Sequence, residues 1–472
     1  LNRRASRYAA LALLILVGAA SMMSALTASR RGIDDPDVFW IAAAGRQLLH
    51  HGSLPRENFF SFTAPHAPWV MHEWLLGPVY ALGLGHLGPT FFALLAALTV
   101  LAMAALLLFA TPGEAQGKVL AAALFLPLFG VHLISARPMV LALLPAAAML
   151  GLAFSPRFGP KQFALALGLE LVWVNVHGSF PLGPLFLLVG AWDAREDRRA
   201  RLGASVGAAA TMILQPHGAA LYELVFNYVG VGAGGADVAR ARLLEFQPLL
   251  GAGARFVAPT AFAGLALLTL LALGLLMKRR ALARVVLFAA TLAMALLHAR
   301  HADLAGLVGA MLLAPAAAEA ATWRPAADLT STRVRALLLV PAALLSMAAL
   351  VGGARVDDSL GGAELPALLA QLPRDAHLYT PFALGGRAEW LSSERGVRVF
   401  YDSRNDCYPA DVATLAFDLE DGRVTGDDAL SALRAAGTTQ LLLQRDSSLA
   451  RRLEADETSA PTDRAWRIYR LP

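Results

Sequence analysis

Four stretches of this chain, residues 7 to 28, 90 to 110, 258 to 277 and 334 to 352, are nearly unbroken apolar runs whose only Asp, Glu, Lys or Arg residues are Arg7 and Arg335. An α-helix rises about 1.5 Å per residue, so each run is close to the length that crosses a hydrocarbon core of roughly 30 Å. One such run can be a signal peptide or a buried helix, but four cannot. A chain that is 57 % hydrophobic and 16 % charged over 472 residues is no ordinary soluble enzyme. The expectation is a polytopic membrane protein.

The first window is preceded by Asn2, Arg3 and Arg4 and also fits a secretory signal. Its apolar region is long, and Ser24-Ala25-Leu26-Thr27-Ala28-Ser29 is an imperfect cleavage site. The reading is therefore an uncleaved first helix with a cytoplasmic amino end. The balance of 40 basic to 35 acidic residues is not a nucleic-acid signature. Arg195, Arg198, Arg199 and Arg201 form one cluster and Lys278, Arg279, Arg280 and Arg284 another, both flanked by apolar runs, which is the positive-inside pattern. A single cysteine, Cys407, excludes an internal disulfide framework.

Shorter apolar runs bring the expected total to about eleven or twelve helices within a transmembrane domain at 1–352. External loops are expected at 29–69 and 217–257, both aromatic enough to lie at the lipid interface. The run at 70 to 87, with Glu73, Pro78 and three glycines, is the least convincing span. After Leu350 the composition changes. Residues 353–472 alternate short strands, near 377–380, 397–401, 440–443 and 466–469, with helices, which predicts a small extracytoplasmic α/β domain.

The strongest local signal is Asp34-Asp35-Pro36-Asp37-Val38-Phe39-Trp40. Three carboxylates in four positions repel one another unless a cation or a proton-transfer role offsets the repulsion. Asp34 and Asp35 therefore read as catalytic, or as hard oxygen ligands for Mg²⁺ or Mn²⁺, with Asp37 supporting them. A solvated helix exit broken by Pro36 is the plain alternative. Farther on, His72 and Glu73 lie between Trp69 and Trp74, at the edge of an apolar run. A polar pair there is a functional candidate, and Glu73 joins the catalytic set.

Arg137, Asn175, His177, His217, Arg300 and His301 stand at the ends of apolar runs. The basic clusters place them all on the non-cytoplasmic side. Arg46, Arg137 and Arg300 suit a phosphate through their guanidinium forks, with helix carbonyls or nearby acids as the plain alternative. Trp40, His72, Trp74, Asn175, His177, His217 and His301 read as supporting or substrate-binding residues. The histidines form no zinc-binding signature, though facing histidines leave a haem open. In the carboxy-terminal segment, Asp402, Arg404 and Asp406 mark a ligand loop after a strand, unless they form a salt-bridged turn.

Several motifs recur together: Asp35-Pro36-Asp37-x-Phe39-Trp40, Gly45-Arg46, Trp69-x-x-His72-Glu73-Trp74, Arg137-Pro138, Trp173-x-Asn175-x-His177-Gly178, and Tyr401-Asp402-x-Arg404-x-Asp406-x-Tyr408. This succession resembles a bacterial family of polytopic membrane proteins grouped with the C-type (GT-C) glycosyltransferases. The resemblance implies a transmembrane helical bundle of GT-C type with a small carboxy-terminal α/β soluble domain. It also implies a bacterial inner-membrane location and a polyprenyl-phosphate sugar as donor. Asp34 or Asp35 then acts as base or metal-binding carboxylate, inverting the sugar as the lipid phosphate leaves. Membrane lipid and lipid-linked sugar are the expected partners, and the sequence identifies no protein partner. A lipid or polysaccharide transporter and a non-catalytic subunit of an envelope assembly pathway are the competing readings.

Overall fold

The computed structural model of the chain describes residues 33–194, 196–226, 235–320, 342–351, 355–454 and 465–471. The window at 7 to 28, the first part of that at 334 to 352, Arg195 and most of the glycine turn at 230–235 lie outside the described residues. The chain forms two compact units.

The described part of the first unit comes from Thr90–Gly218 and Leu243–Ala354 and is helical. Four of its helices are long and apolar enough to cross a membrane: Thr90–Phe109, Ala115–Ile134, Pro259–Met277 and Ala299–Ala320. Shorter apolar helices accompany them at Pro138–Ala153, Leu182–Asp193, Leu282–Leu297 and Ala342–Val351. The bundle has an inside and an outside. Most of Ala299–Ala320 is enclosed, whereas Pro259–Met277 turns Leu270, Leu273 and Met277 outward. Apolar residues facing outward from an apolar helix suit a lipid solvent. Close packing inside rests on small residues. The Phe129 ring lies against Gly306 so tightly that a Cβ there would meet it at 2.5 Å. At the end of the bundle carrying the basic clusters, Arg284 pairs with Asp193 at 3.0 Å.

The second unit joins Gly32–Pro89 and Ala219–Arg242 to Arg355–Pro472, so the carboxy-terminal segment is not a domain by itself. Its sheet has four strands, β1 (His377–Tyr379), β2 (Arg398–Val399), β3 (Gln440–Gln444) and β4 (Trp466–Arg470), in the order β2-β1-β3-β4. β1 runs parallel to β2 and β3, and β4 closes the edge antiparallel to β3. All four strands fall where the alternation of short apolar runs predicts them. Helix Gly385–Ser392 does not follow from the sequence.

The segment at 29–69 differs from the interfacial loop expected. It contains a helix, Asp37–His51, whose residues from Val38 to Gly45 are all buried. That burial explains the run of apolar and small residues. One face packs on helix Leu76–Leu87 and another on Gly385–Ser392. Asp35 starts the helix by accepting the Asp37 N–H at 2.9 Å, and Gly52 ends it in a left-handed conformation at φ 66°. Beyond it the chain returns along the sheet edge. Val399 N–H donates to Phe60 O at 2.8 Å, and Ile33 pairs with Val356. The doubtful run at 70 to 87 gives only the twelve-residue helix Leu76–Leu87, about 18 Å of rise and too short to cross alone.

Candidate active site

Three groups of polar side chains stand in the second unit. The first is at the head of helix Asp37–His51. Asp34 is exposed, Asp35 is buried with Oδ1 on the Asp37 N–H, and Asp37 Oδ1 accepts the Trp40 Nε1–H at 3.1 Å. The phenol of Tyr80, wholly buried on helix Leu76–Leu87, lies within electrostatic reach of Asp35, Asp37 and Glu73. The helix amino terminus offsets part of the mutual repulsion of these acids.

The second group is His72, Glu73 and Asp406. His72 Nε2 lies 2.8 Å from Glu73 Oε1, and both side chains are close to nine-tenths buried. Glu73 Oε2 is enclosed without a hydrogen-bond partner. Burial works against a charge on His72, but the carboxylates of Glu73 and Asp406 outweigh it and raise its pKa. Asp406 is itself pushed up by burial, with His72 pulling it back. Trp74, half-buried, continues the turn, its N–H donating to Met71 O at 3.2 Å.

The third group corrects part of the expected ligand loop. The side chains of Asp402, Arg404 and Glu389 have no exposed surface. Arg404 donates to both oxygens of Asp402, at 3.0 and 2.5 Å, to Asn58 Oδ1 at 3.0 Å and to Glu389 Oε1 at 3.3 Å. The Tyr408 hydroxyl also donates to Asp402. Two carboxyls and one guanidinium cannot all be charged cheaply in a dry interior. Burial and the neighbouring Asp402 push Glu389 well above the carboxylate range. Burial opposes the charge on Asp402, yet Arg404 holds it below its usual value. The sum is a neutral, closed tie, the salt-bridged turn, and of the three loop residues Asp406 alone faces the His72–Glu73 pair.

Arg46 is likewise engaged within the protein: it donates to Trp390 O at 2.8 Å, pairs with Glu394 at 3.1 Å and lies 4.3 Å over the Trp390 ring, which ties helix Asp37–His51 to Gly385–Ser392.

The first unit brings together Arg137 and Arg300. Glu245 accepts from both, through Oε2 at 2.9 Å and Oε1 at 3.5 Å. Burial disfavours the Glu245 charge, but Arg300 and Arg137 prevail and lower its pKa. One carboxylate between two guanidiniums leaves one surplus positive charge. The imidazoles of His298 and His301 stand 6.3 Å apart beside it. Of the other predicted residues, Asn175 Nδ2 donates to Leu171 O at 2.7 Å, His177 Nδ1 meets Ser179 Oγ at 2.9 Å, and the buried His217 donates its backbone N–H to Gln215 Oε1 at 2.7 Å.

Sequence reasoning missed the roles of Glu245 and Glu389. Glu245 carried a usable signal, an acid in a loop otherwise rich in Phe and Leu. Glu389 carried none, because its partner is fifteen residues away. Among the described residues no group of three or more His, Cys, Asp or Glu side chains is arranged to hold a metal ion. Asp34 is exposed, and Asp35 turns its Oδ1 to the Asp37 N–H.

No protein-family model matches the chain, and no curated protein matches it by sequence. Solved structures do match. ArnT from Cupriavidus metallidurans in the apo state is similar over 98 % of this chain and 98 % of its own, with a TM-score of 0.55 at 14 % identity. The same protein bound to undecaprenyl phosphate gives 0.52 at 14 % identity, over 97 % of this chain and 98 % of its own. The oligosaccharyltransferase of Archaeoglobus fulgidus in the apo form gives 0.51 at 12 % identity, over 92 % of this chain and 69 % of its own. At such identity the likeness is one of fold. The chain shares their fold, a bundle of apolar helices with a small carboxy-terminal mixed sheet.

Proposed function

We propose that this chain is a glycosyltransferase of a bacterial inner membrane that moves a sugar from a polyprenyl-phosphate carrier to an extracytoplasmic hydroxyl acceptor. The observation that carries the reading is the set of carboxylates fixed at the head of helix Asp37–His51, within a fold shared with ArnT and an oligosaccharyltransferase. ArnT bound to undecaprenyl phosphate supports a polyprenyl carrier. Asp34 or Asp35 takes the acceptor proton as the acceptor oxygen attacks the anomeric carbon, and Asp37 holds the electrostatic frame. The bond to the carrier phosphate breaks with inversion, and its electron pair leaves on a phosphate oxygen that needs no strong acid. No step runs through a cation.

The test uses the purified protein in lipid vesicles with a labelled polyprenyl-phosphate sugar in the outer leaflet and acceptors outside. Label on a new product supports transfer. Label that crosses the bilayer still joined to its carrier overturns transfer and supports a transporter.

A further inference from the structure

Resting on that reading, we infer that Arg404 is a positioning residue for the carboxylates at the head of helix Asp37–His51, acting through Trp69 and Trp40. A continuous series of contacts within one unit carries the inference. The Arg404 guanidinium lies 4.6 Å from the centre of the Trp69 ring and 5.0 Å from that of Phe60. The Trp69 ring meets Trp40 edge-on, with centroids 5.8 Å apart. Trp40 Nε1 then donates to Asp37 Oδ1 at 3.1 Å. Arg404, Trp69 and Trp40 are each at most 5 % exposed, so none can tilt without displacing the next.

Arg404 is held more firmly than packing requires. Its hydrogen bonds to Asp402, Glu389 and Asn58 fix the plane of the guanidinium, and only a fixed plane transmits orientation to a ring stacked on it. The Asn58 bond ties the same plane to the returning segment that leads through Trp69 to His72 and Glu73. Asp406, two residues beyond Arg404, faces that pair. One short loop of the carboxy-terminal segment thus supports both carboxylate groups.

The experiment compares the full chain in lipid nanodiscs with Arg404→Lys, which keeps the charge and loses the planar fork, and with Trp40→Phe, which keeps an aromatic ring but loses the N–H with the pyrrole half of the indole. Hydrogen–deuterium exchange at the amides of residues 37 to 41 needs no substrate. Both variants are expected to exchange faster there, while β1 and β3 stay as in the parent. In the transfer assay kcat is expected to fall about 100-fold with KM unchanged, the mark of misplacement without lost binding. Should Arg404→Lys unfold the sheet, Trp40→Phe and Trp69→Leu carry the same two readouts. Parent-like exchange at residues 37 to 41 in the folded variants overturns the inference, as does a rise in KM at constant kcat. A parent protein that transfers no sugar refutes the transferase reading and leaves the exchange result to decide the coupling.

Discussion

Nε2 of His72 lies 2.8 Å from Oε1 of Glu73, its neighbour in sequence, in a pocket that also feels Asp406. Adjacent side chains usually diverge, and these meet because the chain turns between Trp69 and helix Leu76–Leu87. A histidine whose pKa is raised above 6.5 stabilises the fold fully below that pH and loses the contribution as pH rises through the higher folded value. Asp406, raised by burial, acts with the same sign. Replacing His72 by Gln is therefore expected to lower the melting temperature most on the acid side of neutrality. The deficit should shrink as the pH climbs past the raised value. A deficit independent of pH between 5 and 9, read by tryptophan fluorescence, contradicts the charged pair.

The Glu389–Asp402–Arg404 tie makes an asymmetric expectation. Burial and Asp402 push the Glu389 carboxyl well above its usual range, so Glu389→Gln, an uncharged group of the same shape, should leave stability nearly unchanged. Asp402→Asn strands the Arg404 charge in a dry interior and should cost about 3–5 kcal/mol. Denaturant titration of the two variants checks this. Equal losses would mean that both carboxyls are ionised.

Helices Asp37–His51 and Leu76–Leu87 touch through two glycines. A Cβ on Gly45 would lie 1.9 Å from the Gly77 carbonyl oxygen, which no side-chain adjustment relieves. Gly45→Ala is expected to cost about 1–3 kcal/mol by forcing the helices apart. Gly85→Ala, in open space on the second helix, should be neutral or slightly stabilising. Comparable melting temperatures for the two variants would contradict the crossing.

Much of the fold could be read before the structure. Length and apolar contiguity foretold Thr90–Phe109 and Pro259–Met277, and short apolar runs foretold all four strands. Both signals are local. What escaped was long-range pairing. The buried face of Asp37–His51 looks interfacial until Gly385–Ser392 and Leu76–Leu87 are known to cover it. Arg46 looks like a ligand contact because a sequence shows a guanidinium but not the Glu394 that neutralises it, whereas the Asp402–Arg404 turn was already legible as the alternative to a ligand loop. The cluster Asp34-Asp35-x-Asp37 was legible because its members are adjacent, though only the structure separates an exposed Asp34 from a buried Asp35.

The central claim is that a carboxylate at the head of helix Asp37–His51 carries the transfer. Its most direct test is the rate of sugar transfer from a labelled polyprenyl-phosphate donor by Asp34→Asn, Asp35→Asn and the double variant, each confirmed as folded by its melting temperature. The account expects one of the single variants, and the double variant, to lose roughly 100-fold or more in kcat. Parent-like turnover in a folded double variant would contradict it.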